Sequence, residues 1–181
     1  MADHPIPFSE PMIAAILDCR KTMTRRLACQ VRKVRDDYEE KGSFKLVAGP
    51  SPWTKMQPGD RLWVRENFSY SWSVKDDPER RHLMPVWFWA DGNPEFGDWS
   101  KPKPPIHMPR WASRLTLIVT ATKIERLKDI SEADAQAEGC VEDWADGFSV
   151  WYVPGAHLKR HGRTAAQCFG LLWSQLTARR W

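Results

Sequence analysis

"PFSEPMIAAILDCRKTMTRR", residues 7–26, decides how this chain is read, because it joins an apolar helical stretch to a dense basic turn. Ser9 stands where an N-cap belongs and Pro11 fits a first turn, while Met12, Ile13, Ile16 and Leu17 fall on one face. A short helix is therefore expected, and Arg20, Lys21, Arg25 and Arg26 begin at its C-terminal end. That placement has two physical readings. Cations at a helix C-terminus complement the negative end of the macrodipole and satisfy terminal carbonyls. Alternatively, Lys21 and Thr24 set an amine beside a hydroxyl whose proton it can accept, which releases an alkoxide-like nucleophile. The second reading requires desolvation and the guanidinium groups of Arg20, Arg25 and Arg26 to outweigh whatever favours the ammonium.

The surrounding chain sets bounds on both. Its 181 residues suit a single domain over 1–181, with insertions expected at 28–57 and 71–110. Lys and Arg number 27 against 23 Asp and Glu, a mild excess that permits a nucleic-acid partner without demanding one. The charge is uneven: acidic residues gather at 35–40 and 125–146 and basic ones at 20–33, 101–114 and 159–163, which favours an anionic partner. Cys19, Cys29, Cys140 and Cys168 form no C-x-x-C pair, and no signal peptide or membrane-length apolar run is present, so a cytoplasmic protein with reduced thiols is expected. Eleven tryptophans, several in strand-like runs such as "VWFWAD" at 86–91, are expected in the core or in a cleft wall.

Residues 28–57 lack a sustained period and read as a long loop, closing on a turn at Pro58-Gly59-Asp60. "RLWVRENF" (61–68) alternates as a strand, with Leu62, Val64 and Glu66 on one face and Trp63, Arg65 and Asn67 on the other. The stretch 71–83 reads as a charged loop, 85–90 as an aromatic strand and 91–110 as irregular. "SRLTLIVTATKIERL" predicts a strand with Leu115, Leu117 and Val119 inward and Thr116 and Thr120 outward, bent or bulged towards Ile124 and Leu127. In "ISEADAQAEG", Ser131 and Asp134 resemble a capping box and Gly139 a C-cap, so a helix of about two turns is expected. Thr164 and Gln167 open a second such pattern, with Phe169, Leu172, Trp173 and Leu176 at helical spacing.

Metal chemistry finds little support: His157 and His161 have i, i+4 spacing but follow Pro154-Gly155 and lack the glutamate of a metalloprotease motif. The glycine-rich strings of nucleotide hydrolysis, dinucleotide binding and the serine-hydrolase elbow are also missing. No metal or cofactor is expected.

"PIPFSEPMIAAILDCRKTMTRR", "QPGDRLWVRENF", "PIHMPRWASRLTLIVTATKIERLKDISEADAQAEG" and the F-x-x-L-W segment at 169–173 together resemble the prophage-associated branch of the ASCH domain family. The resemblance implies an α+β fold, a PUA-like β-barrel with flanking short helices, and a cleft suited to RNA or a modified cytidine nucleoside. Small bacterial members include an amidohydrolase that removes the acyl group from N4-acetylcytidine with Lys, Thr and Glu. Its G-R-K-T-x-T string is similar to Cys19-Arg20-Lys21-Thr22-Met23-Thr24, with Cys in place of Gly. Its L-T-E-x-x-A-x-x-E stretch falls on Ile130-Ser131-Glu132 through Ala135 to Glu138. The catalytic set so implied is Lys21 as base, Thr24 as nucleophile and Glu138 as the group that orients Lys21 or protonates the leaving amine. Arg20, Arg25, Arg26, Arg65, Glu66 and Trp63 are the expected substrate-binding residues, with Trp87 and Trp89 as further stacking candidates; an ion pair at the strand edge is the plainer role for Arg65 and Glu66. The resemblance also implies a tryptophan-rich strand after the last helix, which "TARRW" does not supply; the sheet edge is then filled by another segment, by a second molecule or left unpaired. Two rival functions remain: a non-catalytic RNA-binding module whose arginines grip phosphates, and a ribonuclease.

Overall fold

Residues 1–35, 44–71, 85–145, 147–156 and 161–178 are described by the computed structural model. In chain order the elements are β1 (Asp3–Pro7), α1 (Glu10–Leu17), β2 (Cys29–Arg35), β3 (Phe44–Pro50), β4 (Arg61–Arg65), β5 (Phe68–Tyr70), β6 (Val86–Phe88), β7 (Thr116–Ile118), α2 (Glu132–Ala137), β8 (Val141–Ala145), β9 (Phe148–Tyr152) and α3 (Ala165–Ala178). β4 lies between β1, which runs parallel to it, and β7, which runs antiparallel. Pro5 and Pro7 lack donors, so β1 belongs at the sheet edge where it is found. β2–β3, β5–β6 and β8–β9 form two-stranded antiparallel sheets. The architecture is α+β; among the described residues no sheet exceeds three strands and none closes into a barrel.

The chain departs from its sequence pattern in three places. Within 28–57, residues 29–35 and 44–50 are strands and not loop: β2 and β3 pair from Cys29↔Pro50 to Arg35↔Phe44, a ladder held by main-chain bonds and so invisible to apolar periodicity. The strand expected over 61–68 splits, with β4 in the central sheet and β5 paired to β6 through Phe68↔Phe88. Its break falls at Glu66 and Asn67, where Arg114 draws the Glu66 carboxylate inward and Asn67 donates to Glu10. The aromatic strand keeps Val86–Phe88 and then turns into a single 3-10 turn at Trp89–Asp91.

Other features follow the pattern. Gly59 adopts a φ of 91° in the expected turn, and Asp60 N donates to Gln57 O. Leu115, Leu117 and Val119 pack against the core while Thr116 and Thr120 are exposed; β7 pairs with the first half of β4, from Arg61↔Ile118 to Trp63↔Thr116. In α1 Met12 and Ile13 are buried as expected, Ala15 joins them, and Leu17 is 45% exposed at the helix end. Ser131 Oγ accepts from Asp134 N at 3.1 Å, which caps α2 as the sequence predicts. Gln167 N donates to Thr164 Oγ1 at the start of α3, and Phe169 and Leu172 are buried with Trp173 packed beside them. The side chain of Leu176, His157 of the histidine pair and nearly all of the charged loop 71–83 lie outside the described residues.

The main core joins β1, α1, β4, α2 and α3 through residues such as Ile6, Ile13, Val64, Ala135, Cys168 and Phe169. A satellite of Phe68, Met108 and Ala112 sits under β5 and β6. Glu132 at the start of α2 accepts from Ala165 N at 2.7 Å, which places a carboxylate on the N-terminus of α3 and ties the two helices together. No described helix is long and apolar enough to cross a membrane.

Candidate active site

Two helix ends meet at the site. After α1, Cys19 takes a left-handed φ of 58°, Arg20 N donates to Ala15 O at 2.9 Å and Cys19 N to Ile16 O at 3.0 Å. After α2, Gly139 has a φ of 106°, Cys140 N donates to Ala135 O at 3.2 Å and Gly139 N to Gln136 O at 2.8 Å. Both are Schellman closures. The first turns Lys21 back towards the second, and Thr22 N and Met23 N both donate to Ala137 O at 2.9 and 3.0 Å. Contact is close: a Cβ on Gly139 would stand 3.5 Å from Ala15 Cβ and 3.8 Å from Lys21 Cβ.

Lys21 and Glu138 face each other across this junction with side chains 2% and 4% exposed. Lys21 Nζ donates to Glu138 Oε2 at 2.5 Å, to Glu138 O at 3.0 Å and to Met23 O at 2.7 Å. Three acceptors use all three N–H bonds of an ammonium, so the resting arrangement holds the charged form. Burial nevertheless pushes the Lys21 proton affinity down, the attraction and hydrogen bond of Glu138 restore only part of it, and Arg26 adds to the lowering. Burial thus weakens an ammonium that three acceptors, a carboxylate oxygen among them, hold in place.

Arg25 holds the other side of Glu138. Its Nη1 lies 3.5 Å from Glu138 Oε1, and its Nη2 donates to Asp134 Oδ2 at 2.9 Å and to Glu125. Lys123 Nζ completes the group, 2.6 Å from Asp134 Oδ2 and 2.9 Å from Glu125 Oε2. The guanidinium also stacks on Phe169 of α3, 5.5 Å from the ring centroid. Lys123 and Arg25 hold the Asp134 carboxyl below its usual range, and Arg25 and Lys123 do the same for Glu125.

Thr24 is half-buried and follows Met23, whose carbonyl holds Lys21 Nζ. Among the described residues its hydroxyl makes no hydrogen bond, and neither Lys21 nor Glu138 reaches it directly. In the turn 21–25, Lys21, Thr22 and Met23 spend their backbone N–H groups on helix carbonyls, whereas those of Thr24 and Arg25 have no protein acceptor among the described residues.

The remaining candidates lie elsewhere or are engaged. Arg20 pairs with Asp18 on the surface at 2.8 Å. Arg26 donates to Pro7 O and lies over Phe8 and Trp53, 5.2 and 5.8 Å from their centroids. Trp63 is buried beneath Arg65, whose guanidinium lies 4.4 Å from the ring centroid and donates to Ile106 O. Glu66 does form an ion pair, with Arg114 rather than Arg65: Nε and Nη2 hold its two oxygens at 2.9 Å each. Trp87 donates to Gly92 O and Trp89 to Ser69 Oγ. No group of three or more possible metal ligands occurs among the described residues.

Sequence reasoning missed Arg114, the Glu125–Lys123 arm and Trp53. None of these carried a signal of its own; the one cue to the cluster was that Asp134 and Glu138 stand four apart, on α2 and its C-cap, a repulsive spacing that asks for a cation such as Arg25. No family model, curated protein or solved structure matches the chain.

Proposed function

We propose that this protein is a metal-independent amidohydrolase of the ASCH type, acting on N4-acylated cytosine nucleosides or nucleotides. The observation that carries the reading is the buried Lys21–Glu138 contact of 2.5 Å, made from the turn that also carries Thr24. A proton passes from Lys21 to Glu138 and leaves a neutral amine next to a carboxylic acid. Lys21 then takes the Thr24 hydroxyl proton as Oγ1 bonds to the acyl carbon. The developing oxyanion is received by N–H donors, for which Thr24 and Arg25 offer the open ones of the turn. As the C–N4 bond breaks, Glu138 supplies the proton that the cytosine amine carries away. Water, deprotonated by the same pair, attacks the acyl-threonine, and the carboxylic acid leaves with Thr24 regenerated.

Arg25 faces three carboxylates, which disfavours it as a phosphate grip and weighs against the RNA-binding rival. Arg26 beside Phe8 and Trp53 is the aromatic and cationic surface of this turn, and we assign the base to it rather than to Trp63. The PUA-like barrel belongs to the same proposal, with the β1-β4-β7 sheet as one wall.

The test is cytidine release from N4-acetylcytidine by wild type and Thr24→Ala. Thr24→Ala is the informative variant because, among the described residues, the Thr24 side chain makes no hydrogen bond whose loss would unfold the protein. Release by wild type that falls at least about 10³-fold in Thr24→Ala supports the reading. No release from folded wild type sinks it and moves attention to RNA binding, measured through its salt dependence.

A further inference from the structure

The turn that carries Lys21 also carries Arg25, whose guanidinium faces the Glu138 oxygen that the lysine does not hold. Glu138 has two carboxylate oxygens in different company: Oε2 meets Lys21 Nζ at 2.5 Å and Oε1 meets Arg25 Nη1 at 3.5 Å. Arg25 is fixed from several directions, by Asp134 on α2, by Glu125 bridged through Lys123, by the Met23 sulfur and by the Phe169 ring. So many contacts leave the guanidinium little freedom to serve a ligand. Its charge towards Glu138 is shared with Asp134 and Glu125, which keeps the contact longer than a full ion pair.

We propose that Arg25 is a positioning residue: it orients Glu138 so that Oε2 alone holds Lys21 Nζ, and with Asp134 and Glu125 it sets the pH at which Lys21 gives up its proton. This deepens the amidohydrolase reading and rests on it for its catalytic meaning, although its electrostatic content does not depend on the substrate. When the pair titrates, the Lys21 ammonium releases its proton to solvent and leaves an amine beside the Glu138 carboxylate. The groups facing this pair are Arg25 and Arg26 from the turn, Asp134 from α2, Glu125 and Lys123 from the segment before it, and Cys140 after α2, itself backed by Cys168 of α3. Arg25 and Arg26 favour loss of the Lys21 proton, whereas Asp134 and Glu125 oppose it.

Two variants move the balance in opposite directions. Arg25→Met removes a positive charge, so Lys21 keeps its proton to higher pH; Asp134→Asn removes a negative one, so Lys21 loses it earlier. Arg25→Lys retains the charge and should stay near wild type. The readout is the Lys21 ammonium resonance in the 15N-labelled full-length chain, visible because burial and three hydrogen bonds slow its proton exchange. We expect the midpoint of its disappearance to move up by about one pH unit in Arg25→Met and down in Asp134→Asn. Unchanged midpoints in a folded Arg25→Met, or in Asp134→Asn should the first variant not fold, overturn the proposal, since a merely structural arginine would change stability alone. N4-acetylcytidine hydrolysis on the same samples separates the two readings. Shifted midpoints without wild-type hydrolysis keep this inference and remove the amidohydrolase, and hydrolysis with fixed midpoints does the reverse.

Discussion

Glu138 and Glu66 are both buried and both ion-paired, yet their partners make them different objects. Glu66 is 1% exposed and takes two parallel hydrogen bonds from Arg114, whose remaining N–H groups hold Asp91 at 2.7 and 2.8 Å. Burial works against the Arg114 charge, but the bonds from Glu66 and Asp91 outweigh it, so that guanidinium never gives up its proton. Burial also raises the Glu66 carboxyl, and Arg114 pulls it back. The result is a fixed clamp at the break between β4 and β5. Glu138 meets a lysine through one short contact, and burial weakens that lysine's hold on its proton. A buried carboxylate facing arginine stabilises a bend, whereas one facing lysine can exchange a proton.

Exchanging the cations is the harshest test of this contrast. Lys21→Arg keeps the charge but abolishes the base, and should lower kcat/KM on N4-acetylcytidine by about 10³-fold or more. Arg114→Lys should leave kcat/KM within roughly threefold and instead cost about 1–2 kcal/mol in urea unfolding, because one ammonium cannot make the fork of bonds to Glu66 and Asp91. Equal activity losses in the two variants would erase the distinction.

A double-mutant cycle addresses the next effect in size. Lys21→Met and Glu138→Leu each leave an unpaired buried charge and should cost about 3–5 kcal/mol, while the double variant should cost clearly less than their sum. Additive losses would show that the two side chains act independently.

A smaller effect concerns acid. Asp134 and Glu125 have folded-state proton affinities below their ordinary values of 3.8 and 4.5, so their stabilisation is complete above that range and is lost as pH falls through the lowered values. The stability gap between wild type and Asp134→Asn should therefore be largest near neutral pH and narrow as pH falls below the ordinary aspartate value of 3.8, as read from urea midpoints. A gap that stays constant would show that Asp134 does not ionise differently on folding.

What the sequence made legible was local. Ser131, Asp134 and Gly139 lie within nine residues and together specify α2, and the alternation of Leu115, Leu117 and Val119 placed their faces without knowledge of any partner. What stayed hidden was pairing at a distance. The β2–β3 ladder is held by backbone bonds that leave no apolar period, and Glu66 showed its burial through its strand face but not that Arg114, 48 residues on, would hold it. Lys21 and Glu138, 117 residues apart, were set together by the family resemblance alone. Each had an ordinary reading as a helix-end residue, and nothing in either local pattern states that the two helix ends abut.

The left-handed backbone at Cys19 bears on which sequences this turn can inherit. At a φ of 58° the position penalises any side chain with a Cβ and spares glycine, which costs nothing there. A library randomised at position 19 and sorted for folded protein should enrich glycine first and asparagine next, and purge valine and isoleucine, with Cys19→Gly gaining about 1 kcal/mol. The cysteine is thus a tolerated substitute in a slot shaped for glycine, and it taxes the very bend that delivers Lys21 to its partner.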